Sequence, residues 1–187
     1  MKIIMFFCLI FTGVLFSEQI DFKEYLLVAK GSKAPEFSLY DVIKGNKHSF
    51  PVKKESKLVL LNFFATYCGP CKTEFPGFVR LYDKYKDKLE IYAVSVERNK
   101  KIISDFANEH KLNFPVFMDY TKHCLNQYIK PGSTAVLPTN ILIGKDGVIL
   151  EISNTLENNT LEEWIIKYCN LAKAEIVNDK KAFPGNN

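Results

Sequence analysis

The chain is short of several things that mark common protein classes. It holds only 5 cysteines and 3 histidines in 187 residues. Cys68 and Cys71 have metal-knuckle spacing, but no second pair like them exists, so a zinc ribbon is excluded. Position 72 is lysine rather than histidine, which excludes a c-type haem attachment. No glycine-rich phosphate loop is present, and the 25 basic residues are interleaved with 21 acidic ones, as in Lys84-Tyr85-Lys86-Asp87-Lys88. Without a basic block, nucleic acid is not expected as a partner. Internal repeats and low-complexity tracts are also missing. The four cysteines beyond position 17 are too few for a disulfide scaffold, so the fold must rest on its core. A hydrophobic content of 47% over this length is enough for one domain.

Long apolar runs are scarce too, with one exception at the start. Positions 3–16 are almost wholly apolar and follow Met1-Lys2. A bilayer span takes about 20 residues, so this run is short for one and suits the core of a signal peptide. Residues 1–17 therefore read as a signal peptide, with an uncleaved membrane anchor through residues 3–16 as the alternative. Either way the rest of the chain is exported, to the periplasm or the outer face of the cytoplasmic membrane, where disulfides persist. Residues 18–30 read as a linker or short helix, 31–172 as the folded domain and 173–187 as a loose tail.

What is present is chemically pointed. Cys68-Gly69-Pro70-Cys71 follows the apolar run Leu58–Phe64 and precedes a segment with helical character. A Cys-x-x-Cys at a strand-to-helix junction is a dithiol that cycles with a disulfide. At a helix N-terminus the free N–H groups and the dipole favour a thiolate. Cys68 is then the exposed nucleophile of low pKa and Cys71 the resolving thiol one turn on. Pro70 fits the first helical turn, where its missing N–H costs nothing.

The pattern predicts a β-hairpin around Lys44-Gly45-Asn46, a doubly buried strand over 57–64 and a helix over 68–86, kinked at Pro76. A second buried strand over 89–96 and a helix over 99–111 follow. Next come a short strand over 114–118, a short helix over 121–128 and a hairpin of strands 139–143 and 148–152. A helix over 160–172 closes the domain, with Leu161, Trp164, Ile165 and Tyr168 inward. Alternating strands and helices imply a parallel core, and the late hairpin adds antiparallel strands. Cys124 and Cys169 read most simply as buried hydrophobes, with a bridge between them left open.

These motifs resemble the thioredoxin-like superfamily, and within it the TlpA/ResA type of exported thiol-disulfide oxidoreductase. The resemblance is carried by Gly31–Leu39, by Leu61–Pro76 around the dithiol, and by Leu137-Pro138-Thr139. It implies an α/β thioredoxin-like fold: a central mixed sheet flanked by helices, with an N-terminal β-hairpin. It implies a cis Pro138 across from the dithiol, so that Leu137, Pro138 and Thr139, with Tyr67, Gly69 and Pro70, meet an extended substrate chain. Glu74, one turn past Cys71, stands where such proteins carry an acid and would handle the Cys71 proton; a solvent-facing Glu74 favoured by the helix dipole is the other reading. Plain thioredoxins have a buried Asp where this chain has Asn62, which cannot transfer a proton. Tyr67 replaces the usual Trp and is expected to supply an aromatic wall.

The activity so implied is reduction of protein disulfides through a mixed disulfide, without a cofactor or metal. Apocytochrome c is one implied substrate and a membrane thiol carrier the implied electron donor. Two other readings stay open. One is a thiol peroxidase, since the N-terminal hairpin is shared with that class, although a second cysteine follows Cys68 at once and the upstream proline of that class is missing. The other is a redox-inert binding module that uses the groove beside Pro138.

Overall fold

The computed structural model describes residues 22–50, 57–132, 136–157 and 159–171. Strands β3 (Leu58–Phe64), β4 (Leu89–Ser95), β5 (Val116–Met118), β6 (Thr139–Ile143) and β7 (Ile149–Ser153) make one mixed sheet in the order β5-β4-β3-β6-β7. β3 lies parallel to β4 and antiparallel to β6. Every residue of β3 and β4 is buried. That is why their sequences run apolar without alternation: each strand has neighbours on both edges and packing on both faces.

The two faces are still distinct, because successive side chains point to opposite sides. Leu58, Leu60 and Phe64 pack with α1 (Gly69–Lys84), α2 (Lys100–Glu109) and α4 (Thr160–Cys169) through Phe75, Phe78, Ile103, Phe106 and Ile165. Val59, Leu61 and Phe63 face the other way, onto Phe37, Phe50, Leu125 and Tyr128. Asn62 and Asn140 share the parity of Leu60 and Leu142, and so belong to the α1 face.

The N-terminal hairpin pairs β1 (Phe37–Tyr40) with β2 (Lys47–Phe50). Its turn is held by Asp41, whose Oδ1 accepts from the N–H groups of Ile43 and Lys44 at 2.7 and 2.9 Å. Gly45 supplies the left-handed position, φ 71°. A bridge between Asp41 and Phe117 ties the hairpin to β5, and edge-on contacts of Phe37 with Tyr92 and of His48 with Phe117 seal it to the sheet.

The elements expected from the pattern are all present: β6 has the expected bounds, β7 lies one residue later than expected, and the other strands and helices of the domain are trimmed at their ends. Helix α1 runs through Pro76 without interruption, and a short α3 (Leu125–Tyr128) occupies only the end of the segment 121–128. The stretch before the hairpin carries a 3-10 turn, Phe22–Tyr25. It is also packed: Leu26 bridges Ile129, and the Leu27 N–H donates to the Tyr128 carbonyl at 2.8 Å. In α4 Leu161 and Ile165 are fully inside, Ile166 joins them, and Trp164 and Tyr168 are only partly covered. Cys124 and Cys169 are both free. The apolar run 3–16 and the tail 173–187 lie outside the described residues. Among the described residues no helix is long and apolar enough to cross a membrane.

Candidate active site

β3 ends at Phe64 and delivers the chain to a tight turn, where the Cys68 N–H donates to the Ala65 carbonyl at 3.1 Å. Cys68 is the N-cap of α1, with extended backbone. Its Sγ accepts the Cys71 N–H at 3.2 Å, so one of the unpaired donors of the first turn points at this sulfur. Cys68 and Cys71 form a disulfide, with Cα atoms 5.3 Å apart. Cys71 is fully covered and Cys68 keeps 9% of its surface open. Cys68 is therefore the less covered of the two cysteines, yet far less exposed than the sequence suggests, because Phe64, Phe75 and other α1-face side chains crowd the same cluster.

β6 brings in the opposite wall. It is antiparallel to β3 with Thr139 facing Phe63, so its first residue lies at the end of the sheet where the dithiol begins. The Leu137–Pro138 peptide bond is cis, and Leu137 packs against the cluster that contains both cysteines. Thr139 departs from expectation. Its side chain is fully buried and its hydroxyl donates back to the Val136 carbonyl at 2.6 Å, so it has no side-chain group to offer a substrate. Tyr67 is 74% exposed, with Gly69 and Pro70 exposed beside it.

Glu74 is not a solvent-facing residue. It is 6% exposed, and its carboxylate accepts the Leu156 N–H at 2.6 Å and the Asn140 amide, 3.1 Å from each oxygen. Burial pushes its pKa up to about 7, against the pull of the Leu156 and Asn140 donors. A cleft of about 600 Å³ opens beside it, lined by Thr73, Leu156, Glu157, Thr160 and Glu163 among others.

Two residues here escaped the sequence reading. Asn140 pairs with Asn62 across the β3–β6 ladder, and the Asn62 Nδ2 donates to the Asn140 Oδ1 at 2.8 Å. The available signal was an asparagine within each of two largely apolar strands. Glu97, just past β4, accepts the Thr66 N–H at 2.6 Å and the Thr66 hydroxyl at 2.8 Å, and so clamps the turn before Cys68. Its signal is only positional, at the carboxyl end of a parallel strand. No group of three or more acidic, histidine or cysteine side chains suited to a metal occurs among the described residues.

A dithiol–disulfide pair on the first turn of a helix, leaving the central strand of a thioredoxin-like sheet, defines the class of thiol-disulfide oxidoreductases. Comparison with known proteins narrows this. The AhpC/TSA family model matches residues 30–152. The thiol-disulfide oxidoreductase ResA of Geobacillus kaustophilus is 38% identical over 146 residues, 77% of this chain and 80% of that protein. ResA of Bacillus subtilis is 34% identical over 78% of this chain and 77% of its own length. The solution structure of a thiol:disulfide interchange protein from a Bacteroides species superposes with a TM-score of 0.66 at 28% identity, covering 81% of this chain and 97% of that one. The chain belongs to the AhpC/TSA family, as a thiol-disulfide oxidoreductase of the ResA type.

Proposed function

We propose that this oxidoreductase works outside the cytoplasm as a reductant of protein disulfides. The observation that carries the reading is the asymmetry of the pair: Cys68 caps the helix and keeps some exposed surface, while Cys71 is sealed with a buried acid one turn beyond it.

In the reduced enzyme the Cys68 thiolate attacks one sulfur of a substrate disulfide. A Cys68–substrate disulfide forms and the other substrate sulfur leaves as thiolate. Cys71 then gives its proton to the Glu74 carboxylate and attacks Cys68 Sγ. The enzyme disulfide closes, the second substrate thiolate departs, and two electrons have passed to the substrate. Gly69, Pro70, Tyr67 and the Leu137 backbone beside Pro138 form the platform on which the substrate chain lies. A thiol carrier in the membrane restores the dithiol. The haem-binding cysteine pair of an apocytochrome c is a substrate of the right chemistry, and residues 1–17 direct the chain across the membrane.

Insulin reduction by the mature domain tests the activity, and trapping with Cys71→Ser names the substrate. Loss of resolution should leave mixed disulfides on Cys68; a Cys71→Ser protein that captures nothing would count against the scheme. The AhpC/TSA match favours one other reading, a thiol peroxidase, which peroxide consumption by the reduced protein checks. The partner cysteine three residues from Cys68 supports dithiol exchange instead.

A further inference from the structure

Asn62 and Asn140 are both fully buried in central strands of the sheet, on the face that carries the dithiol helix. Two amides there are a burden to the fold. One of their four polar atoms, the Asn62 Oδ1, has no partner among the described residues, and a buried unpaired acceptor is costly. A leucine pair would fill the same ladder positions without that cost. What the amides provide is an anchored donor. Asn62 Nδ2 holds the Asn140 Oδ1 at 2.8 Å, which turns the Asn140 Nδ2 onto both oxygens of Glu74 at 3.1 Å.

We propose that Asn140, anchored by Asn62, is a positioning residue that orients the Glu74 carboxylate and sets the pH at which it takes up the Cys71 proton; this rests on the reading that Glu74 serves that proton. Asn140 Nδ2 and the Leu156 N–H can only donate, so both favour the ionised carboxylate that is ready to receive. Among the described residues that line the cleft or bond to Glu74, few carry charge. Cys71 lies one turn back on α1, Glu157 and Glu163 rim the cleft from the β7–α4 side, and β3 and β6 contribute only the neutral amides. None of these is a cation, so a neutral donor is what counters burial here. Removing it should push the Glu74 ionisation to higher pH.

The test is the pH dependence of disulfide reduction and of Cys71 alkylation in four proteins: wild type, Asn140→Leu, Glu74→Gln and the double variant, each checked by thermal melting. Asn140→Ser, smaller and unable to reach the carboxylate, replaces Asn140→Leu if that variant does not fold. We expect the midpoint to rise by about one pH unit with Asn140→Leu, a tenfold change in proton concentration. In the Glu74→Gln background the same substitution should move nothing. An equal shift in both backgrounds overturns the proposal, since Asn140 would then act without Glu74. So does an unmoved midpoint in Asn140→Leu while Glu74→Gln differs from wild type. Superimposable wild-type and Glu74→Gln curves would instead remove the underlying role of Glu74, and this inference with it.

Discussion

Helix α1 carries one buried glutamate near its start and meets another at its last turns, and the two carboxylates are treated oppositely. Glu74, near the start, and Glu162, reaching across from α4 to the last turns, are each 6% exposed. Around Glu162 stand Lys84 at 3.0 Å, the Tyr85 hydroxyl at 2.9 Å and Arg80 at 3.5 Å. Burial alone would raise the pKa of Glu162; its bonds to Lys84 and Tyr85, with the charges of Lys84 and Arg80, more than reverse this and hold it below the usual carboxylate range. Glu74 meets only the neutral Leu156 N–H and Asn140 amide, and burial prevails, lifting it to about 7. Equal exposure thus gives opposite chemistry. The Glu162 end is a structural clamp between α1 and α4, its cations also suited to the helix C-terminus. The Glu74 end keeps an acid that can change charge near neutral pH one helical turn past Cys71, and the proposed proton transfer rests on that placement.

The largest expected effect lies at the dithiol end. Cys68→Ser should abolish disulfide reduction and rapid alkylation near neutral pH, whereas Cys71→Ser should leave one fast-reacting thiol. Faster alkylation at Cys71 than at Cys68, read by mass spectrometry of the single variants, would reverse the assignment. Stripping the other end is the next test. Arg80→Met with Lys84→Met makes Glu162 resemble Glu74, a buried carboxylate without cations, and should cost about 3 kcal/mol in urea unfolding at pH 7. The loss should shrink at pH 4, where Glu162 can protonate, and the alkylation rate of Cys68 should not change.

Glu74→Gln works in the opposite sense. The carboxyl has a pKa of 4.5 unfolded and about 7 folded, so the folded state holds the proton more tightly. The stability this provides is fully present below pH 4.5 and is lost as pH rises through 7. Glutamine does not ionise. Relative to wild type, Glu74→Gln should therefore gain up to about 3 kcal/mol between pH 4 and pH 8, while turnover slows by about a hundredfold. A stability difference independent of pH, measured by denaturant melts at both values, would mean that Glu74 is not held as described. The smallest effect belongs to a pair with a cation but no burial. Lys101 and Asp105 are 2.6 Å apart with side chains 82% and 60% exposed. Lys101→Ala should change unfolding free energy by about 0.5 kcal/mol or less.

Much of this was legible in the chain because it is local. A buried strand reads from Leu58 to Phe64 as seven consecutive apolar or amide residues. A dithiol on a helix start reads from Cys68-Gly69-Pro70-Cys71, and the Lys44-Gly45-Asn46 turn reads from residues that tolerate a left-handed backbone. Helix spacing put Glu74 on the Cys71 face. Whether that face was wet or dry could not be read from spacing, because the cover comes from Leu156, 82 residues away. Thr139 looked open to substrate from its place beside Pro138, yet its hydroxyl is occupied by a carbonyl three residues back. The Glu97 clamp on Thr66 spans 31 residues with no periodicity to announce it.

The sequence by itself determined the class of chemistry and the order of elements. Both rest on short-range facts: two thiols one turn apart, side-chain periodicity, and turn residues with special backbone preferences. Only the tertiary structure decided the electrostatics of the site. The charge state of a buried carboxylate depends on what desolvates it and on which donors or cations face it. For Glu74 these come from β6 and the β7–α4 connection, and for Glu162 from α1. Two glutamates that look alike along the chain become a fixed anion and a titratable acid because the fold gives one of them lysine and arginine, and the other only amides.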